Sequence, residues 1–213
     1  MRTSKEAQQE DAALERIQAV LEDGGAARSV ELSEEEALMI KPLGLLTAKP
    51  IIYATNVSEE DLAEGNAYCT EVSNLAANEG AETVRISAQV EAELIELGDD
   101  ERTDYLEGLG VSEGGLQSLI QATYRLLGLR TYFTTGEKET RAWTFKAGMT
   151  APQAAGVIHT DFERGFIRAQ TIGWEKLIEA GSLSEARNKG WLRSEGKEYV
   201  VDEGDVMEFL FNV

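Results

Sequence analysis

Cysteine and histidine occur once each in the 213 residues, as Cys69 and His159, and proline only three times. A lone cysteine cannot close an internal disulfide, and with a single histidine it cannot complete a zinc ligand set. Long apolar runs are missing too. No window approaches the roughly 18 uncharged apolar residues that a membrane-spanning helix needs. The stretch from Met1 to Gln18 lacks the apolar centre of a signal peptide. These absences favour a cytoplasmic protein with no membrane partner. Basic residues are scarce as well: 20 Lys and Arg stand against 39 Asp and Glu, a formal charge of −19.

The charge is unevenly placed. Residues 1–127 hold 9 Lys and Arg against 26 Asp and Glu (−17), whereas residues 128–213 hold 11 against 13 (−2). Bare nucleic acid would be repelled by the first part and not by the second, and no DNA partner is expected. The shift marks a boundary near Gly128.

What is present reads as short, well-punctuated elements. Leu14, Ile17 and Leu21 share a helical face over residues 7–22, stopped by the glycines after Asp23. Ser33 and Glu36 stand in capping-box relation ahead of Leu38, Met39 and Ile40. These two acidic helices either form an arm that rests on something else or a solvated extension. "PIIYATN" reads as a buried strand, residues 61–79 as a helix, and "ETVRISA" as a second strand. Strand, helix and strand in that order predict a parallel βαβ unit. A helix over 91–97 follows, then a stripe of Leu116, Leu119, Ile120, Tyr124 and Leu127. Past Gly128 the texture becomes β-rich. Two strands flank "TGEKE", Thr150 caps a helix with Pro152 in its first turn, and "GFIRAQTIGW" is strand-like. "KEYVVDEGDVMEFLFNV" predicts a hairpin around "DEGD" with Met207, Phe209, Phe211 and Val213 on one face. Two strands, a helix and further strands point to a small β-grasp domain.

The sharpest chemical signal lies where "PIIYATN" stops. Ligands of nucleotide-binding α/β domains sit beyond the carboxyl ends of parallel strands. Asn56 occupies that place, and its amide can donate to a purine N7 while its oxygen ties the loop together. In GTPases the corresponding motif is Asn-Lys-x-Asp, whose aspartate reads guanine. Here the positions are Asn56, Val57, Ser58 and Glu59: the lysine is gone and the carboxylate is one methylene longer. That displacement breaks guanine readout and lets backbone near Val57 face an adenine amino edge. The next strand ends in Ser87-Ala88, a pair that commonly backs the base. Asn-x-x-Glu after a strand is equally the pattern of a helix cap.

Several segments resemble the YchF-type Obg-like ATPases: "LTAKPIIYATNVSEED", "RISAQVEAEL", "DEGDVMEFLFNV" and, most specifically, the block from Leu129 to Ala169. The likeness runs over nearly the whole chain. It implies the end of a coiled-coil helical arm over residues 1–42 and part of an α/β P-loop NTPase domain over 43–127. Residues 128–213 would be a TGS domain, an α+β, ubiquitin-like β-grasp module. It further implies ATP in preference to GTP, Mg²⁺ as the companion ion, and ribosome or ribosomal RNA as partner. Asn56, Val57 and Glu59 would contact or frame the adenine, with Ser87 and Ala88 beside it. The family's Gly-x-x-x-x-Gly-Lys-Ser/Thr loop and Mg²⁺ switches do not occur in this sequence; "NKGW" and "EGKEY" lack the hydroxyl residue. The expectation is therefore that Met1 is not the start of the working ATPase and that this chain alone does not hydrolyse nucleotide. Residues 1–127 alone are expected to fold poorly, and 128–213 independently. The alternative is a non-catalytic β-grasp module that binds ribosome, RNA or protein.

Other candidates have two readings each. His159 with Asp161 and Glu163 is either an acid-base group or a structural histidine after a short helix. Arg141, Lys146, Arg164, Arg168 and Lys176 alternate with Trp143, Phe145, Phe162 and Phe166, an RNA-facing pattern or a core with a solvated face. Cys69 is read as a small buried residue.

Overall fold

The computed structural model describes residues 5–136 and 138–212. Glu137 of the expected "TGEKE" turn and Val213 of the last apolar face lie outside the described residues. The chain divides into two compact units, Met1–Ala122 and Thr123–Val213.

The first unit opens with α1 (Lys5–Glu22) and α2 (Glu34–Ile40). Their shared cluster is built on Ala13, Ile17, Ala27 and Ile40. Ser33 and Glu36 close the capping box: Glu36 accepts the Ser33 N–H at 2.8 Å, and the Ser33 hydroxyl accepts the Glu36 N–H at 3.3 Å. Next come β1 (Ile52–Asn56), α3 (Ala67–Glu79), β2 (Glu82–Ile86), α4 (Ala88–Glu96), α5 (Asp99–Gly108) and α6 (Gly115–Leu126), the last of which runs past the Ala122 boundary. β1 and β2 pair in parallel, with Asn56 opposite Ile86, as the βαβ pattern predicts. α3 starts later than expected. Residues 59–61 form a separate 3-10 turn, and Asn66 caps the helix by accepting the Cys69 N–H at 3.1 Å. The buried side of α3 is Cys69 and Ala76, while Leu75 is exposed. The apolar stripe of α6 is likewise half-exposed at Leu116, Ile120 and Leu127.

The second unit is a five-stranded mixed sheet in the order β4-β3-β7-β5-β6. Its strands are β3 (Leu129–Thr135), β4 (Thr140–Lys146), β5 (Phe166–Gly173), β6 (Arg193–Glu195) and β7 (Asp205–Phe211). Between β4 and β5 run α7 (Ala151–Ile158) and α8 (Thr160–Arg164); α9 (Trp174–Ala180) and α10 (Leu183–Asn188) follow β5. The β3–β4 hairpin has Tyr132 opposite Trp143. Tyr132 is fully buried, edge-on to Phe145 and Phe209, and its hydroxyl donates to the Ala154 carbonyl at 2.9 Å. Burial pushes its ionisation far above the usual tyrosine range.

The expected hairpin around "DEGD" is not formed. β7 is flanked by β3 in parallel and β5 in antiparallel, so both its edges are taken. The preceding segment instead satisfies its backbone at the start of α7: Ala151 donates to Tyr199, and Val201 to Met149. β7 still presents Met207 to the core, while Phe211 is partly exposed.

Gly115 sets one close approach. A Cβ there would come within 2.8 Å of the Ile86 Cα, so only glycine lets α6 begin against the end of β2. Gly115→Ala is expected to destabilise the first unit by about 1–3 kcal/mol, the range for overpacking at a tight contact. Denaturant unfolding of the full chain checks it; an unchanged midpoint would mean this approach has slack.

Candidate functional site

The carboxyl ends of β1 and β2 lie side by side, and the sequence-predicted residues meet there. Asn56 closes β1 with an exposed side chain. Its Oδ1 accepts the Ala88 N–H at 3.0 Å, across 32 residues of sequence. That bond decides which way the amide faces: with the oxygen held inward, the Nδ2 donors point away from Ala88. Among the described residues Nδ2 has no hydrogen-bond partner. The Val57 N–H donates to the Ile86 carbonyl at 2.9 Å, extending the ladder one residue past β1. The Val57 side chain packs into a cluster with Leu62, Val90 and Leu94. Val57 is thus an anchor of the loop, offering a ligand backbone rather than side chain.

Ser87 is 1% exposed and serves as the N-cap of α4, its hydroxyl accepting the Val90 N–H at 3.4 Å. Ala88 is exposed, with its N–H already bound to Asn56. Glu59 opens the 3-10 turn, and its exposed carboxylate has no hydrogen bond or ion pair among the described residues. The turn itself is tied down: Asp61 accepts from the Ser58 hydroxyl at 3.2 Å and from Asn66 Nδ2 at 2.8 Å. From β2, Arg85 Nη1 donates to the Ala63 carbonyl at 2.6 Å. The loop that follows β1 is therefore held at both ends and at its middle.

No sequence signal announces α5, which is acidic and lacks apolar periodicity. Its Tyr105 packs on the same cluster as Val57, and its hydroxyl donates to Glu93 of α4. That bond to a carboxylate, with a further contribution from Glu59, pushes the Tyr105 hydroxyl up to about 12. In turn the Tyr105 hydroxyl, with Gln89 Nε2, holds the Glu93 carboxyl below the usual carboxylate range.

The remaining candidates resolve structurally. His159 caps α8, its Nδ1 accepting the Asp161 N–H at 3.2 Å. Phe145 and Phe166 are core residues, and Phe162 stacks on Phe211 at 3.9 Å, so the alternating basic-aromatic pattern is not one surface. Trp143, with the Arg141 guanidinium 4.3 Å from its ring, stays at the sheet edge. Cys69 is buried on α3. Among the described residues no three of His, Cys, Asp and Glu converge as a metal-binding group, and no helix is long and apolar enough to cross a membrane.

The Tyr105–Glu93 bond has a pH signature. Because Glu93 has a depressed folded-state pKa, its stabilisation is present above the unfolded carboxylate pKa and fades as pH falls through the folded value. Tyr105 runs the other way: its contribution holds below the ordinary tyrosine pKa of 10.0 and is lost as pH rises toward about 12. In Tyr105→Phe the Glu93 midpoint, followed by NMR of its side-chain carboxyl, should move upward. A midpoint that does not move would show that the two groups are not bonded in solution.

Comparison with known proteins places this geometry. A family model named YchF-GTPase_C, described as a protein of unknown function (DUF933), matches residues 129–212. The ribosome-binding ATPase YchF of Bacillus subtilis (strain 168) is 50% identical over 202 residues, covering 94% of this chain and 55% of the relative. The protein of the same name from Escherichia coli O157:H7 is 50% identical over 209 residues, covering 98% and 57%. The solved Schizosaccharomyces pombe YchF GTPase superposes with a TM-score of 0.82 at 34% identity, over 97% of this chain and 55% of that one. A GTP-binding protein from Pyrococcus horikoshii OT3 shares the fold, with a TM-score of 0.56 at 17% identity. The chain spans about half the length of the curated relatives it matches. It has a mixed α/β fold, carries the YchF-GTPase_C family over residues 129–212, and is similar to YchF proteins over nearly its whole length.

Proposed function

We propose that the loop from Asn56 to Glu59 is the purine-reading element of an ATP site, selecting adenine over guanine. The observation that carries this is the Asn56–Ala88 bond, which leaves the amide donors facing outward at the ends of two parallel strands. Nδ2 would donate to the purine N7, and the backbone at Val57 would meet the adenine amino edge. Ala88, small and exposed, would flank the ring above the Ser87 cap. Glu59 replaces the shorter carboxylate of guanine readers, which leaves guanine N1 and N2 without their acceptor. The names of the relatives differ here: the bacterial proteins are called ATPases and the yeast structure a GTPase. The loop chemistry favours the first.

Phosphates and Mg²⁺ have no matching residues in this sequence, so no hydrolytic step is assigned to it. In this reading the chain is the base-reading part of a cytoplasmic, ribosome-associated ATPase. Residues 1–42 correspond to the end of a helical arm, 43–127 to part of the nucleotide domain, and 128–213 to a TGS domain. The sheet order β4-β3-β7-β5-β6, with α7 in the connection from the β3–β4 hairpin to β5, supports the β-grasp assignment.

Titration of the full chain with ATP, followed by amide NMR, should move the signals of Asn56, Val57 and Ala88, with GTP binding more weakly. Asn56→Ala should weaken ATP binding by about tenfold, the loss of one well-placed hydrogen bond, and barely alter stability. Equal binding of the two nucleotides, or an unaffected Asn56→Ala variant, would overturn the adenine reading.

A second reading concerns the β-grasp half as a ribosome- or RNA-binding module. It is favoured by the exposed edge strand β4, where Arg141 stacks on Trp143 and Lys146 stands free in solvent. Arg141→Glu with Lys146→Glu should reduce co-sedimentation with ribosomes several-fold through lost phosphate contacts. Unchanged co-sedimentation would leave β4 as a solvated edge only.

A further inference from the structure

A cleft of about 400 Å³ lies within the second unit, between the start of α9 and the turn that leads into β7. Its base is rigid. Asp205 is 3% exposed and accepts from the Tyr199 hydroxyl at 2.7 Å and from the Asp202 N–H at 3.0 Å. Arg193 Nη2 lies 3.4 Å from the same carboxylate. The cation at the bottom of the cleft is thus already neutralised. Trp174 forms one wall. Its backbone N–H donates to the Gly204 carbonyl at 3.0 Å, and a Cβ on Gly204 would come within 2.5 Å of its indole. The ring is held in place, yet 50% of the residue is exposed.

The tryptophans of this unit differ in one respect. The Arg141 guanidinium sits 4.3 Å from the Trp143 ring and the Lys189 ammonium 4.5 Å from Trp191. Among the described residues Trp174 has no cation over its ring and no acceptor for its indole N–H. Around it, four carboxylates (Glu175, Asp202, Glu203 and Asp205) outnumber two cations (Lys176 and Arg193). Glu175 is exposed and unpaired among the described residues, and the Asp202 side chain is largely exposed, 3.5 Å from Arg130. Glu203, which also lines the cleft, accepts the Thr131 N–H at 2.9 Å through one carboxylate oxygen.

An open indole face inside a net negative rim attracts a cation, and a planar guanidinium suits it best. It stacks on the ring while its edge donates to carboxylates on either side. We propose that this cleft seats an arginine side chain from a basic polypeptide partner, stacked on Trp174 and paired with Glu175 and the Asp202–Glu203 turn. A nucleobase could use the same ring, but the phosphates attached to it would meet the acidic rim. The cleft shares no residue with the purine loop, and the proposal stands apart from the adenine reading.

The test uses the full chain and the amide-capped hexapeptide Gly-Arg-Gly-Arg-Gly-Arg, read through the indole N–H signals in NMR. Trp143, whose Nε1–H donates to Thr134 at 2.9 Å, serves as the internal reference. The peptide should shift the Trp174 signal saturably and leave Trp143 in place. Its citrulline counterpart, isosteric but uncharged, should not. Glu175→Lys should raise the dissociation constant about fivefold, from one lost rim pair and added repulsion. Trp174→Phe, which keeps an aromatic ring in the wall and is followed through the backbone amide signals of Gly204 and Glu175, should weaken binding about threefold. No saturable shift, an equal response to the citrulline peptide, or a shift with oligouridylate in place of the arginine peptide would each overturn the proposal.

Discussion

The hydrogen bond from the Ala88 N–H to Asn56 Oδ1 is the constraint on which the candidate site depends. It contributes about 1 kcal/mol to stability at most, because both residues are exposed and water can replace either partner. Its value is directional. A free asparagine amide rotates and presents oxygen or nitrogen equally; this one is committed, with its donors turned outward. The bond requires the ends of β1 and β2 to lie level, which the register pairing Asn56 with Ile86 provides. It also requires the chain to turn at once into α4 after Ile86, which the buried Ser87 cap accomplishes. Gly115 lets α6 close in behind Ile86. Each of these steps is conservative on its own, and together they orient one side chain.

Legibility in the sequence followed the range of the interactions. The capping box at Ser33 and Glu36, the β-branched run into Asn56 and the β3–β4 hairpin depend on neighbours a few residues away, and all were readable. So were Asn56 and Ser87, since a polar residue at the end of an apolar strand is a local anomaly. The failures came where distant residues decide. The start of α3 is set by Asn66 and Asp61 rather than by apolar spacing. The segment before β7 abandons its hairpin because Met149 and Ala151 take its backbone groups. α5, α9 and α10 are short or acidic, and no periodic signal announces them. Tyr105 was invisible for that reason: its role exists only once α5 is folded against α4. For Phe145 and Phe166 the sequence left an RNA-facing and a core reading open, and the core reading holds; alternation alone cannot say which face of a strand is buried.

Acidity shapes the two halves differently. In the first unit the turn after β1 carries Glu59, Glu60 and Asp61 in succession. Asp61 accepts hydrogen bonds from Ser58 and Asn66, while Glu59 faces solvent with no partner among the described residues. In the proposed purine reading, a carboxylate left free at this edge would repel any phosphate that strays toward it, and the base end of the site would be chemically separate from the phosphate end. Orientation of the ring can be built here with no cation, whereas holding three phosphates demands positive charge that this loop does not contain.

In the second unit, where charges nearly balance, charged side chains meet aromatic rings instead. Arg141 and Lys189 each cover a tryptophan from within the chain, which shields two large apolar faces and keeps the cations partly out of bulk water. Trp174 lacks such a cover, although Lys176 stands two residues away on the same helix. Helical geometry explains this: positions i and i+2 point to different sides of a helix, so Lys176 cannot fold back over the ring. The uncovered face therefore follows from the placement of Trp174 at the first position of α9 rather than from a shortage of lysine. In the proposed docking the cation for that face comes from another polypeptide, and the carboxylates on either side favour its charge.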